Sequence, residues 1–137
     1  MQVERVDHVH VEVRDRERAA AWYARVLGLA PHRDLAVWAD HPKGPLILAG
    51  GDGRPALALF ARDPAIPSRD STIAFRVTGA AFRAFLDALD GLNLTNRASR
   101  AVSRADVVDH DLAWSIYFVD PDGNPIEVTT YDRDAVE

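Results

Sequence analysis

Polar and apolar side chains alternate near the start of the chain, with valines at every second position. This period of two predicts a half-buried strand over residues 3–13, with the valines on one face and the histidines and Glu12 on the other. Asp15 can then cap a helix, and apolar residues follow at helical spacing as far as Gly28. The pattern therefore predicts an amphipathic helix over residues 15–27, ended by a left-handed glycine.

Three short apolar runs complete the first half of the chain, and turn-forming residues separate the runs. They predict strands over residues 35–40, 45–49 and 56–61. The order of elements in this half is therefore β, α, β, β, β. Residues 62–71 carry two prolines and several charges, which indicates a short linker.

The second half repeats the order of the first. A helix is predicted over residues 79–90, with Thr78 as its cap and Gly91 as its end. One irregular strand is expected within residues 92–112. The other predicted strands are 72–77, 113–119 and 125–131.

A tandem duplication explains this repeated order. Asp-Gly-Arg-Pro at 52–55 matches Asp-Gly-Asn-Pro at 122–125, and the two helices lie at a similar offset along the chain. We therefore predict an α+β fold in one domain, residues 1–137, with module one over 3–61 and module two over 72–131. Chance similarity of two common Asp-Gly turns is the alternative for the short motif alone.

Composition removes several classes of function. The chain has no cysteine, which excludes disulfides, thiolate metal sites and a thiol nucleophile. Its formal net charge is −5 and no basic stripe is visible, so no nucleic-acid partner is expected. No signal-peptide pattern or membrane-spanning apolar run is present. A cytoplasmic protein without a membrane partner is the expectation.

Three segments resemble the vicinal oxygen chelate superfamily, which includes glyoxalase I, fosfomycin-resistance thiol transferases, bleomycin-binding proteins and extradiol dioxygenases. They are residues 6–13, 23–29 and 117–127. The resemblance implies that the two modules form a curved mixed-sheet cup around a metal with open positions for a small molecule's vicinal oxygens. It also implies a homodimer.

The same resemblance implies two metal ligands. His8 stands at the family's first-strand histidine and Glu127 at its last-strand glutamate. Both residue types suit divalent iron, manganese, nickel or zinc. Thr72 replaces the histidine expected in the second module, and the fourth position falls on Leu57 or Ala58. The expected metal site is therefore incomplete.

His10 offers one way to complete the metal site. It lies two residues after His8 and therefore on the same face of the predicted strand. It could join His8 and Glu127 as a third ligand, or it could line a substrate pocket. Thr72, at the vacant ligand position, is also expected to contact the substrate.

Three further residues are candidates for the chemistry. Tyr117 stands ten residues before Glu127, a spacing that resembles extradiol dioxygenases, and His110 resembles the segment before that strand. Tyr117 is thus a candidate catalytic residue or a rim aromatic, and His110 a general acid or base or a solvated loop residue. Arg76 could bind a substrate anion or pair with Glu12 or Glu127.

Three functions are consistent with these residues. The first is a metal-dependent enzyme, dioxygenase-like or glyoxalase-like, acting on a small molecule with vicinal oxygens. The second is a metal-free protein that binds a drug or metabolite, as bleomycin-resistance proteins do, and Thr72 favours it. The third is a degenerate member with a structural or regulatory role.

Overall fold

A computed structural model describes residues 1–2, 4–62 and 71–136 of the chain. The chain divides into two compact units, residues 1–67 and 68–137. Most of the predicted linker, residues 63–70, lies outside the described residues. Each unit is an α+β module with a four-stranded mixed sheet and one α-helix, which confirms the predicted fold class. No helix in the described part of the chain is long and apolar enough to cross a bilayer.

Unit 1 packs one helix against a sheet with the strand order β1 (Val9–Val13), β4 (Pro55–Ala61), β3 (Leu46–Ala49) and β2 (Ala30–Pro31), in which β1 and β4 are parallel. Val11 and Val13 are buried while His10 is exposed, as the alternation predicts, and Val9 is half-buried. The predicted start of this strand at residue 3 is wrong, because residues 4–8 form no regular strand. Asp15 accepts hydrogen bonds from the backbone N–H groups of Glu17 and Arg18, and Gly28 ends the helix with φ at 67°. The α-helix of this unit is α1 (Arg16–Leu27), and a 3₁₀ helix spans Ala36–Asp40.

The strand predicted over residues 35–40 is wrong, because Ala36–Asp40 forms a 3₁₀ helix. The guanidinium of Arg16 donates hydrogen bonds to the carbonyls of Ala39, His41 and Gly44, at 3.0, 3.2 and 2.5 Å. These carbonyls therefore turn toward one side chain rather than toward a neighbouring strand. The second strand of the module is instead β2, directly after the helix.

Unit 2 has the same topology, with the strand order β5 (Ile73–Arg76), β8 (Pro125–Thr130), β7 (Trp114–Val119) and β6 (Val108–Asp109), in which β5 and β8 are parallel. The predicted end at Gly91 is wrong, since the helix continues to Leu92 and Asn93 takes the left-handed conformation. The irregular strand expected within residues 92–112 is the two-residue β6. The α-helix of this unit is α2 (Gly79–Leu92), and a second 3₁₀ helix spans Arg104–Asp106.

Strand registers relate the two units residue by residue. Val119 pairs with Pro125 and the pairing continues without a break along β7 and β8. In unit 1 the register shifts after Ala49 pairs with Pro55, so that Leu48 pairs with Leu57 and one extra residue is accommodated. Beyond the turn, the bulge therefore changes by one the number of positions that separates corresponding residues of the two units.

This bulge decides which residue corresponds to Glu127. In the parallel pairs, Ala74 lies opposite Glu127 and His10 lies opposite Ala58. Because of the bulge, Ala58 in unit 1 corresponds to Glu127 in unit 2. Their partners His10 and Ala74 then correspond as well, and two residues earlier His8 corresponds to Thr72. The choice left open between positions 57 and 58 therefore falls on Ala58.

Candidate functional site

Two histidines of unit 1, His8 and His10, lie side by side. The Nε2 atoms of His8 and His10 are 3.2 Å apart, and their rings stack with centroids 5.2 Å apart and an interplanar angle of 15°. The ring of Phe60 lies 4.7 Å from that of His10 and supports it from the neighbouring strand. The alternation of the first strand thus brings both imidazoles to one point, as the sequence predicts.

Asp7 sets the proton position on His8. Its Oδ2 lies 2.7 Å from His8 Nδ1, so the carboxylate accepts a hydrogen bond from the protonated Nδ1. The Nε2 of neutral His8 then carries a lone pair, which faces the Nε2 of His10. Farther along the strand, Glu12 forms an ion pair with Arg62. The acidic side chain on this face is therefore engaged with an arginine.

In unit 2, the half-buried Glu127 is held in place by a hydroxyl group. Its Oε1 lies 2.7 Å from the hydroxyl of Ser115, which in turn lies 2.9 Å from the hydroxyl of Thr129. Because a carboxylate only accepts hydrogen bonds, Ser115 must donate to Glu127. Ser115 and Thr129 are buried. The pair satisfies one carboxylate oxygen and fixes the orientation of the glutamate.

Tyr117 lies directly opposite Glu127 on the adjacent strand. Its hydroxyl is 2.9 Å from Nε2 of His110, whose ring approaches edge-on. Desolvation, followed by the negative charge of Glu127, raises the pKa of Tyr117 above its usual value. The phenol is therefore protonated at neutral pH and can donate a hydrogen bond. The structure thus brings together Tyr117, His110 and Glu127, which the sequence analysis named separately.

The charge of Glu127 provides a test of this arrangement. In Glu127→Gln, the pKa of Tyr117 is expected to fall, because the phenolate no longer lies beside a carboxylate. A ¹³C-tyrosine NMR titration measures the pKa of Tyr117 in both proteins. A pKa of Tyr117 that is unchanged or higher in the variant would contradict the arrangement.

A cavity of about 310 Å³ in unit 2 has Tyr117 in its lining. Its lining includes Thr72, Arg97 and Tyr117, together with the apolar side chains of Phe118 and Ile126. Two residues predicted to serve the site, Thr72 and Tyr117, therefore share one pocket. The guanidinium of Arg76 lies 5.1 Å from the ring centroid of Tyr131.

A second group of side chains lies at the β6 end of the same sheet. Arg133 forms an ion pair with Asp109 and lies 4.5 Å from the ring centroid of Trp114. Hydrogen bonds from Arg133 and from the backbone of Asp111 lower the pKa of Asp109. This contact fastens the segment after β8 to the strand that precedes His110.

Comparison with known families agrees with this architecture. The family model described as the Glyoxalase/Bleomycin resistance protein/Dioxygenase superfamily matches residues 5–128. The chain belongs to this superfamily. The match extends from before the His8–His10 pair to one residue beyond Glu127, which confirms the resemblance noted in the sequence.

Solved structures show the same fold at low identity. The fosfomycin resistance protein FosX from Mesorhizobium loti is 21% identical, covers 94% of this chain and 93% of its own, and superposes with a TM-score of 0.65. Oxidase ChaP-H1 is 22% identical over 93% of this chain and 96% of its own, with a TM-score of 0.67. A glyoxalase/dioxygenase from Nostoc punctiforme is 22% identical over 93% and 91%, with a TM-score of 0.66. The search of curated proteins gives no significant match.

The superfamily resemblance implies four ligand positions, and only two of them carry side chains that bind a metal well. They fall on His8, Ala58, Thr72 and Glu127, and neither the alanine nor the threonine is an effective ligand. Across residues 1–2, 4–62 and 71–136, no group of three or more His, Asp or Glu side chains is placed to hold a metal ion. The donor atoms that best fit a divalent ion within one unit are the two imidazoles of His8 and His10.

Several of these contacts were missed from the sequence. Ser115 lies two residues before Tyr117, and Thr129 two residues after Glu127, so strand alternation alone places all four on one face. The hydroxyl partners of Glu127 could have been found by that rule. Asp7 has no comparable signal, because it precedes the first regular strand.

Proposed function

We propose that this chain is a metal-dependent enzyme acting on a small molecule with two neighbouring oxygen atoms, in a dioxygenase-like or glyoxalase-like reaction. One observation carries the proposal. The protonated phenol of Tyr117 is hydrogen-bonded to His110 and lies opposite the anchored carboxylate of Glu127. A phenol with a neighbouring imidazole and carboxylate supplies the groups needed to move a proton to or from a bound substrate.

Each residue has a distinct role in this proposal. Tyr117 donates a hydrogen bond to a substrate oxygen, and His110 exchanges the proton with solvent. His8 and Glu127 keep the ligand roles that the superfamily resemblance implies. A bound divalent metal would act as a Lewis acid toward the substrate oxygens.

The cavity in unit 2 suits a small substrate. Its volume of about 310 Å³ is at the lower end of the range for small-molecule pockets, roughly 300–1,000 Å³. Thr72 can contact the substrate there, and Arg97 adds a positive charge to the lining. Arg76 is another cation of unit 2, and we propose that it binds a substrate anion. The superfamily resemblance also supports a homodimer, which sedimentation analysis would test.

Tyr117→Phe tests the proposed chemistry. With metal-reconstituted protein, catechols, thiol adducts and epoxides are screened first, and the variants are then compared on the best substrate. Loss of the phenol is expected to lower kcat by about 100-fold, the lower end of general acid–base contributions. Tyr131→Phe is the matched control and should keep wild-type kcat. Equal kcat in wild-type and Tyr117→Phe protein would overturn the role of Tyr117.

A metal-free binding protein is the second candidate. It is favoured by the absence of ligating side chains at Ala58 and Thr72 and by the apolar part of the cavity lining. Calorimetry with aromatic antibiotics, in buffer containing a chelator, distinguishes the two functions. Tight binding that is unaffected by the His8→Ala/Glu127→Ala change would replace the enzyme proposal with this one.

A further inference from the structure

We infer that Asp7, His8 and His10 form a metal-chelating motif on unit 1, in which the two Nε2 atoms bind one divalent ion and Asp7 orients His8. This inference rests on the proposed metal-dependent function and deepens it. It assigns a second imidazole to the metal, which the expected position at Thr72 cannot supply. The motif consists entirely of residues within one unit.

The spacing of the two nitrogens suits a shared ion. Metal–imidazole bonds are about 2.0–2.1 Å long, so two ligands of one ion are separated by about 2.9 Å at a right angle and about 3.4 Å at the tetrahedral angle. The observed Nε2–Nε2 distance of 3.2 Å lies between these values. An ion could therefore bind both imidazoles with little movement of either ring.

The proton position on His8 also suits a ligand. Metal-binding histidines commonly donate their other ring N–H to a carboxylate, which fixes the tautomer and increases the basicity of the ligating nitrogen. Asp7 makes this contact with Nδ1 of His8 at 2.7 Å. Without metal, the two Nε2 atoms share a proton instead, because one neutral imidazole can donate to the other. With a metal bound, the proton of His10 would lie on Nδ1, so that both Nε2 atoms could ligate the ion.

Both imidazoles are at least partly accessible to solvent. Strand β1 is at the edge of its sheet, and His10 is exposed while His8 is partly buried. The ion pair with Arg62 engages Glu12, the other carboxylate on this face of the strand. Imidazole pairs suit copper, nickel, zinc and iron, and the remaining coordination positions of the ion would accept water or substrate oxygens.

Copper and zinc are the probes for the experiment. The untagged full-length chain is titrated with Zn²⁺ by calorimetry, and Cu²⁺-loaded protein is examined by EPR, whose nitrogen hyperfine pattern counts the bound imidazoles. We expect two imidazoles in the wild type and one in His10→Ala, with affinity for Zn²⁺ at least about 10-fold weaker in that variant. Asp7→Asn should weaken binding by about 10-fold through loss of the orienting carboxylate. His41→Ala, an exposed histidine of the same unit, should leave binding unchanged.

The outcomes separate this inference from the proposed function. If His8→Ala and Glu127→Ala weaken binding but His10→Ala does not, the chelating motif is overturned and the metal-dependent function stands. If His8→Ala and His10→Ala weaken binding but Glu127→Ala does not, the motif stands and the ligand role of Glu127 falls. If Zn²⁺ and Cu²⁺ bind no more tightly to the wild type than to His8→Ala, both are overturned. Circular dichroism of each variant verifies that the fold is retained.

Discussion

Asp120→Ala is expected to lower the free energy of unfolding by about 3 kcal/mol, because it removes a buried carboxylate that holds the β7–β8 turn. Its Oδ1 accepts hydrogen bonds from the backbone N–H groups of Asp122 and Asn124 at 2.9 and 2.8 Å, and Oδ2 accepts from the Asn124 side chain at 2.7 Å. Alanine would leave these donors without the carboxylate. The same turn sets the register that places Tyr117 opposite Glu127.

Urea unfolding followed by circular dichroism measures this effect. The repeat supplies a matched control in Asp52→Ala, since the exposed Asp52 of the β3–β4 turn accepts a hydrogen bond from the backbone N–H of Arg54 at 2.9 Å. That variant should lose at most about 1 kcal/mol. If both variants are destabilised equally, the buried hydrogen bonds of Asp120 contribute no more to the free energy of unfolding than the exposed one of Asp52.

Arg16→Ala is expected to lower the free energy of unfolding by about 2–3 kcal/mol. Hydrogen bonds from a charged donor are individually worth more than neutral ones, and this guanidinium serves three carbonyls of a single loop. The loop closes tightly at Gly44, where an added Cβ would clash with the carbonyl oxygen of Trp38. Without Arg16, the loop would lose a side chain that fixes its backbone from outside.

Thermal unfolding of Arg16→Ala should show a midpoint lowered by roughly 10 °C, and Arg16→Lys should recover only part of the loss. Arg18→Ala, an exposed position on the same helix, serves as the control and should change stability by no more than about 0.5 kcal/mol. A midpoint for Arg16→Ala that matches the control would show that the three carbonyls find equivalent partners in water.

The sequence was sufficient for the topology of each unit and for most of its helix ends. Asp15, Gly28 and Thr78 act as predicted because capping depends on neighbours within a few residues. Residues 35–40 were misassigned because the deciding contact comes from Arg16, about twenty residues earlier in the chain. A short apolar run does not by itself distinguish a strand from a 3₁₀ helix.

The candidate site was predictable where strand alternation applies. His8 and His10, and likewise Tyr117 and Glu127, share faces because side chains alternate across a strand. The hydrogen bond between His110 and Tyr117 depends on the course of a loop, which local sequence does not determine. The counterpart of Glu127 depends on a bulge, and only the strand register shows it.

The metal content of the protein is the most direct test of the proposed function. Untagged protein, purified without chelators, is analysed for metals beside the His8→Ala/Glu127→Ala variant. The proposal predicts near-stoichiometric iron, manganese, nickel or zinc in the wild type and its loss in the folded variant. Absence of metal in the wild type, even after reconstitution with each of these ions, would contradict the proposal and favour the metal-free binding protein.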